Sequence, residues 1–163
     1  MKRVLLVMLF FSASASVYAE KVTVKIYGTD VKHQFLGTIV AKDTKNGLLL
    51  MPHLKNLPTG EHGFHVHEHG LCDHVGMDAG GHLDPKNTGK HLGPYSQEGH
   101  LGDLPALVVD ENGFATKAET APQLTVKDIK GHSLMIHAGG DNYSDNPKML
   151  GGGGARIACG IVP

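Results

Sequence analysis

The tightest constraint on how this chain can fold is a set of six histidines and one aspartate. To act together, these residues must converge from distant points. His65 and His67 alternate in Gly63-Phe64-His65-Val66-His67. His82, His91 and His100 follow at nine-residue steps, Asp103 lies just beyond, and His137 comes later. Six imidazoles and a carboxylate exceed the four ligands of one tetrahedral ion, so the spacing points to two metals close together. On a strand, residues two apart project from one face. His65 and His67 therefore present two imidazoles side by side, a donor type that suits copper or zinc, while Phe64 and Val66 face the core. His82, His91, His100 and Asp103 form a closed set of three nitrogens and one oxygen, as zinc accepts in structural sites. Ligands carried on a loop make metal binding part of the folding energy. His137, at the end of Leu134-Met135-Ile136, reads in isolation as a structural histidine.

The rest of the chain reads as short strands between turns. Val22, Val24 and Ile26 alternate with Lys21, Thr23 and Lys25, the period of a half-buried strand. Residues 36–42, 47–51, 63–69, 106–109, 114–118, 133–138 and 156–162 bring the total to about eight. Asp110-Glu111-Asn112-Gly113 marks a hairpin between two of them. Residues 124–130 have room for one helical turn. This pattern predicts an all-β antiparallel sandwich or barrel. Two long stretches, 70–105 and 139–154, lack the strand period, and loops of that length are functional or disordered. The first carries most of the ligand set; the second is rich in glycine, which permits tight turns and close approach to something small.

The amino terminus predicts export. Lys2 and Arg3 precede an apolar run from Val4 to Phe11, and Val17-Tyr18-Ala19 ends in a small-residue cleavage site, as in a secretory signal peptide. That run of eight residues falls short of the ~20 that cross a bilayer. No cysteine stands at the cleavage point, so neither a membrane anchor nor a lipid anchor is expected. Cleavage after Ala19 leaves residues 20–163 as one domain. It removes two basic residues, leaving 13 basic against 16 acidic and a net charge of −3. That charge, with no basic run, argues against nucleic acid as a partner. The two cysteines, Cys72 and Cys159, are an even number in an oxidising compartment and favour one disulfide over two buried thiols.

Four motifs taken together resemble copper/zinc superoxide dismutase, in its secreted, periplasmic bacterial branch. They are Gly63-Phe64-His65-Val66-His67, Ala79-Gly80-Gly81-His82-Leu83-Asp84-Pro85, Gly99-His100-Leu101-Gly102-Asp103-Leu104 and Gly153-Gly154-Ala155-Arg156-Ile157-Ala158-Cys159-Gly160. The resemblance spans essentially all of residues 20–163 and implies an eight-stranded antiparallel Greek-key barrel or sandwich, immunoglobulin-like, with two long functional loops. It implies one copper ion on His65, His67, His82 and His137, and one zinc ion on His82, His91, His100 and Asp103, with His82 shared. It further implies that Asp141 links a copper histidine to a zinc histidine, that Arg156 stands beside the copper, and that Cys72 pairs with Cys159. The implied activity converts superoxide to oxygen and hydrogen peroxide by alternate reduction and reoxidation of copper, in a monomer or a homodimer.

A negative enzyme repels an anionic substrate at long range unless a cleft carries local positive charge; Lys148, with Arg156, is the candidate for that cleft. His62, His69 and His74 fall outside the ligand set and read as loop and rim histidines, with extra metal uptake as the sharper alternative. The segment Asp73–Asp78 is shorter than in many bacterial relatives, and the resemblance does not fix the channel wall there. Two other functions compete: a non-catalytic copper and zinc carrier on the same fold, which would need neither Arg156 nor a shared histidine, and a zinc hydrolase. The hydrolase would require an open zinc position and a nearby base, and no H-E-x-x-H motif is present.

Overall fold

A computed structural model describes residues 19–163, so all but the last residue of the expected signal segment 1–19 lies outside the described residues. Nine strands are present among the described residues: β1 (Lys21–Gly28), β2 (Phe35–Thr44), β3 (Gly47–Leu54), β4 (Gly60–His62), β5 (Phe64–His67), β6 (Leu107–Val109), β7 (Glu119–Ala121), β8 (Ser133–His137) and β9 (Arg156–Ile161). One helical turn, α1 (Val126–Ile129), is capped by Thr125 and Asp128, as the room for a single turn predicted. No helix among the described residues is long and apolar enough to cross a membrane.

Seven strands form one antiparallel sheet in the order β5-β8-β9-β1-β2-β3-β7, and β4 pairs with β6. The last strand lies beside the first, a non-sequential order that matches the expected Greek-key crossover. Phe64 and Val66 at one edge of the sheet, Ala121 at the other, and Leu107 and Val109 of β6 all enter one core. The sheet therefore curls, and the β4–β6 ribbon closes its open side. Alternation explains β1: Val24 and Ile26 are fully buried, while Lys21, Thr23 and Lys25 face solvent.

Two strand boundaries differ from the sequence reading. The expected run 63–69 is shortened to β5 (Phe64–His67), and two strands not expected, β4 before it and β7 after the run 114–118, bring the count among the described residues to nine once 114–118 is lost. The expected strand 114–118 is reduced to a single bridge between Ala115 and Leu54. The turn before it does form, with Asp110 Oδ1 accepting from the amides of Asn112 and Phe114, both at 2.9 Å. Its arms diverge because only Ala115 in that run is buried, so no alternating face exists to hold a strand.

Cys72 and Cys159 form a disulfide across a sequence separation of 87, tying the start of the 70–105 loop to β9. A loop of that length stabilises by roughly 4–5 kcal/mol through restriction of the unfolded chain. Replacing both cysteines by serine should lower the unfolding free energy by about that amount in denaturant titrations. A loss under about 1 kcal/mol would show that the native loop does not depend on the link.

Candidate metal centre

The centre is built on the edge strand β5. His65 pairs with Met135 of β8, which pairs with Cys159 of β9, so the histidine face and the disulfide share one side of the sheet. The free edge of β5 is taken by the 70–105 loop. Val66 N donates to Gly102 O at 2.9 Å, Leu83 N to Val66 O at 2.8 Å, and Leu104 N to Phe64 O at 3.2 Å. A Cβ on Gly102 would lie 2.3 Å from Val66 O, so only glycine permits this approach. The loop lacks the strand period because it forms an irregular cover over the histidines.

His65, His67, His82, His91, His100 and His137 are all buried, as are Asp103 and Asp141. The ligand atoms of His65, His67, His82 and His137 lie within 4.8 Å of one another, and so do those of His65, His82, His91 and Asp103. His82 belongs to both groups. His100 falls outside the second group, but its Nδ1 lies 3.4 Å from Asp103 Oδ1. Neither group includes His62, His69 or His74.

The partner of each ring fixes which nitrogen is left over. His65 Nε2 donates to Asp141 Oδ2 at 2.7 Å, and His67 Nδ1 donates to Gly80 O at 3.0 Å. His137 Nδ1 lies 3.2 Å from Gly154 O, leaving its Nε2 at 3.4 Å from His67 Nε2. His82 Nδ1 reaches Asp103 Oδ1 at 3.0 Å. His91 Nε2 donates to Asp141 Oδ1 at 2.7 Å, and its Nδ1 lies 3.0 Å from Asp103 Oδ1 but outside hydrogen-bond geometry. Four buried ring nitrogens have no hydrogen-bond partner among the described residues: His65 Nδ1, His82 Nε2, His91 Nδ1 and His100 Nδ1. Buried polar atoms without partners are costly; three of these belong to residues of the two groups, and the fourth, on His100, lies beside Asp103. A pair of cations would satisfy them, and the donor set suits copper and zinc.

The electrostatics agree. Burial lowers His65 to about 3, His67 to about 2 and His137 to about 4. At neutral pH these rings are uncharged, the form that ligates metal. Burial also lowers His91, but Asp103 and Asp141 at its two nitrogens outweigh this and raise it to about 9. Burial raises both carboxyls, yet their histidine partners hold them well below the usual carboxylate range. The carboxylates thus require positive charge between them, which a proton on His91 or a divalent cation can supply.

A family model for copper/zinc superoxide dismutase matches residues 35–162. The chain belongs to that family. The copper/zinc superoxide dismutase 2 of Salmonella typhimurium is 50% identical, over 99% of this chain and 99% of its own length. The solved copper/zinc superoxide dismutase of Brucella abortus superposes with a TM-score of 0.83 at 44% identity, covering 88% of this chain and 100% of that one. The solution structure of the monomeric copper, zinc superoxide dismutase from Salmonella enterica gives a TM-score of 0.74 at 51% identity, covering 90% of this chain and 100% of that one. The chain is a superoxide dismutase of the copper/zinc type, an oxidoreductase that takes one copper and one zinc ion.

The sequence reading misplaced one superoxide dismutase residue and left another feature unseen. His62, read as a rim histidine, is 2% exposed. Its Nδ1 lies 2.7 Å from the carbonyl of His137 and its Nε2 2.8 Å from that of Pro58. It braces the backbone of His137, one of the first four-histidine group, and no spacing rule marks it. His69 and His74 are exposed, as expected. Unseen from sequence was the anchoring of Arg156, whose Nη1 donates to Gly76 O at 2.5 Å and Nη2 to Gly80 O at 2.6 Å. Gly80 O is also the acceptor for His67. Lys148 is exposed in the glycine-rich loop. The Gly152 beside it in that loop precedes Gly153, where a Cβ would lie 3.1 Å from His137 Cβ.

Proposed function

We propose that copper is held by His65, His67, His82 and His137 and zinc by His82, His91, His100 and Asp103, with the His82 ring shared between them. The observation that carries this reading is the pair of nitrogens on His82. Nδ1 faces Asp103, while Nε2 is buried without a partner, and His82 also groups with His65, His67 and His137. His100 Nδ1, buried and unpartnered beside Asp103, completes the zinc set in place of His65, whose one unpartnered nitrogen, Nδ1, is taken by the copper set.

Copper, when bound, supplies the one-electron couple for both halves of the dismutation. The chain supplies the rest. Gly80 O and Asp141 fix the rings of His67 and His65, as outer partners of metal ligands do. Asp141 spans to His91 and so ties the two ligand sets together. Arg156, aimed by the Gly76 and Gly80 carbonyls, offers a fixed cation on which the superoxide anion docks. His82 Nε2 is the atom where the protein can hold the proton delivered to the reduced oxygen. The anchoring of Arg156 next to His67 favours this reading over a metal carrier, which has no use for an anion-docking cation. We further infer that residues 1–19 are a signal peptide and that residues 20–163 act in the periplasm. The monomeric relative from Salmonella enterica supports a monomer over a homodimer.

Metal analysis of the mature protein alongside a dismutation assay tests the whole reading. We expect one copper and one zinc per chain with rapid turnover; full loading without dismutation would leave the carrier. Lys148→Ala tests the steering role. It should lower the bimolecular rate roughly 2–10-fold at low ionic strength and flatten its salt dependence. An unchanged rate at low salt discards Lys148 as a steering group.

A further inference from the structure

One carboxylate in the glycine-rich loop has no part in the metal sets, yet it joins the two long loops. Asp145 Oδ2 accepts the backbone N–H of His91 at 2.9 Å, and its Oδ1 accepts that of Leu150 at 3.1 Å. Lys148 lies between Asp145 and Leu150 in sequence. The segment is closed on itself at its base, where Asn142 N donates to Gly151 O at 3.2 Å and Gly151 N to Ser144 O at 3.0 Å. Asn142 Nδ2 also donates to Asn146 O at 2.9 Å. Asp141 and Tyr143 anchor that base, through the rings of His65 and His91 and through Ala106 N at 3.0 Å. Asp145 is different: it grips the main chain of His91 rather than its ring, and it does so from the arm that carries Lys148.

We propose that Asp145 is a positioning residue that couples order in the zinc loop to the placement of Lys148, so that zinc loading strengthens capture of small anions at the copper site. The proposal rests on the zinc set and the Lys148 role inferred above. His91, when it ligates zinc, would be held in place by the ion, and its peptide N–H would hold Asp145. Asp145 in turn holds Leu150 N and fixes the arm in which Lys148 is otherwise exposed. Hydrogen bonds to an ionised acceptor are stronger than neutral ones; the one from His91 N crosses between the two long loops, and the one from Leu150 N closes the arm that carries Lys148.

The test uses azide as the anion probe, titrated against the copper-loaded protein by its visible absorption. Each variant is compared with and without zinc, with metal content matched by elemental analysis. In the parent, zinc should tighten azide binding roughly fivefold or more, the lower range of coupling between distinct sites. In Asp145→Ala the ratio should fall toward one, with zinc-loaded protein binding azide as weakly as zinc-free protein. Asp145→Asn, equal in size and able to accept through one oxygen, should give an intermediate ratio and guards against a folding defect in the alanine variant. A parent-like ratio in both variants overturns the coupling. Lys148→Ala separates the two layers of inference. If it leaves azide affinity unchanged, the Lys148 reading falls and takes this proposal with it. If it weakens azide binding while both Asp145 variants keep the full zinc effect, the Lys148 reading stands and the proposal alone fails.

Discussion

His82→Ala should release both metals and leave dismutation near background, with a loss of more than about 100-fold. Removing an outer partner of a metal ligand already costs about 10–100-fold in affinity or activity, and this substitution removes a ligand from each set at once. The informative comparison uses variants confined to one set. His67→Ala should lose copper and keep zinc; His100→Ala should lose zinc and keep copper. Elemental analysis after dialysis against a mild chelator, with thermal unfolding of the metal-free proteins as a folding control, reads all three. If His82→Ala loses zinc alone, the ring is not shared, and copper must be held by His65, His67 and His137 without it.

Gly151→Ala should weaken zinc binding by about 10–100-fold without replacing a ligand. Gly151 has φ +70°, and a Cβ there would stand 2.0 Å from Asp141 Oδ1 and 2.8 Å from His91 Nε2. The methyl must displace the carboxylate oxygen that orients His91. Backbone strain is a competing cause, since an L-residue in the left-handed region costs roughly 1–2 kcal/mol. Gly152→Ala separates the two. It carries a similar φ of +80°, but its Cβ would meet only Lys148 carbons at 3.5 and 3.6 Å. Competition titration with a chromophoric chelator should show weak zinc binding in Gly151→Ala and near-parent binding in Gly152→Ala. Equal affinity in the two variants would mean that Asp141 does not set the geometry of His91.

Much of the centre was legible in the sequence because metal ligands leave a pattern of residue types. His65 and His67 announce themselves by alternation, and the nine-residue steps of His82, His91 and His100 mark an ordered loop. His137 was legible only through the resemblance, since one histidine at a strand end carries no pattern of its own. What stayed hidden depends on backbone atoms. The carbonyls of Gly76 and Gly80 position Arg156, the His137 carbonyl meets His62, and the His91 amide meets Asp145. Main-chain groups are the same at every position, so no composition or spacing distinguishes the few that matter. The strand at 114–118 failed for a related reason. Turn chemistry at Asp110–Gly113 is local and readable, but the partner each arm takes is decided by burial across the whole sheet.

The acceptor shared by Arg156 and His67 limits how such a site can diverge. A single oxygen, that of Gly80, orients both the guanidinium proposed to receive the anion and the ring proposed to hold the copper. A shift of that peptide plane moves both groups in the same sense, so the gap between docking point and electron donor is insulated from small distortions of the surrounding loop. The same insulation means that no mutation acting through this plane can retune docking without also disturbing the metal. Variation in substrate capture must therefore arise elsewhere, on the outer arm of the glycine-rich loop, where the lysine is exposed.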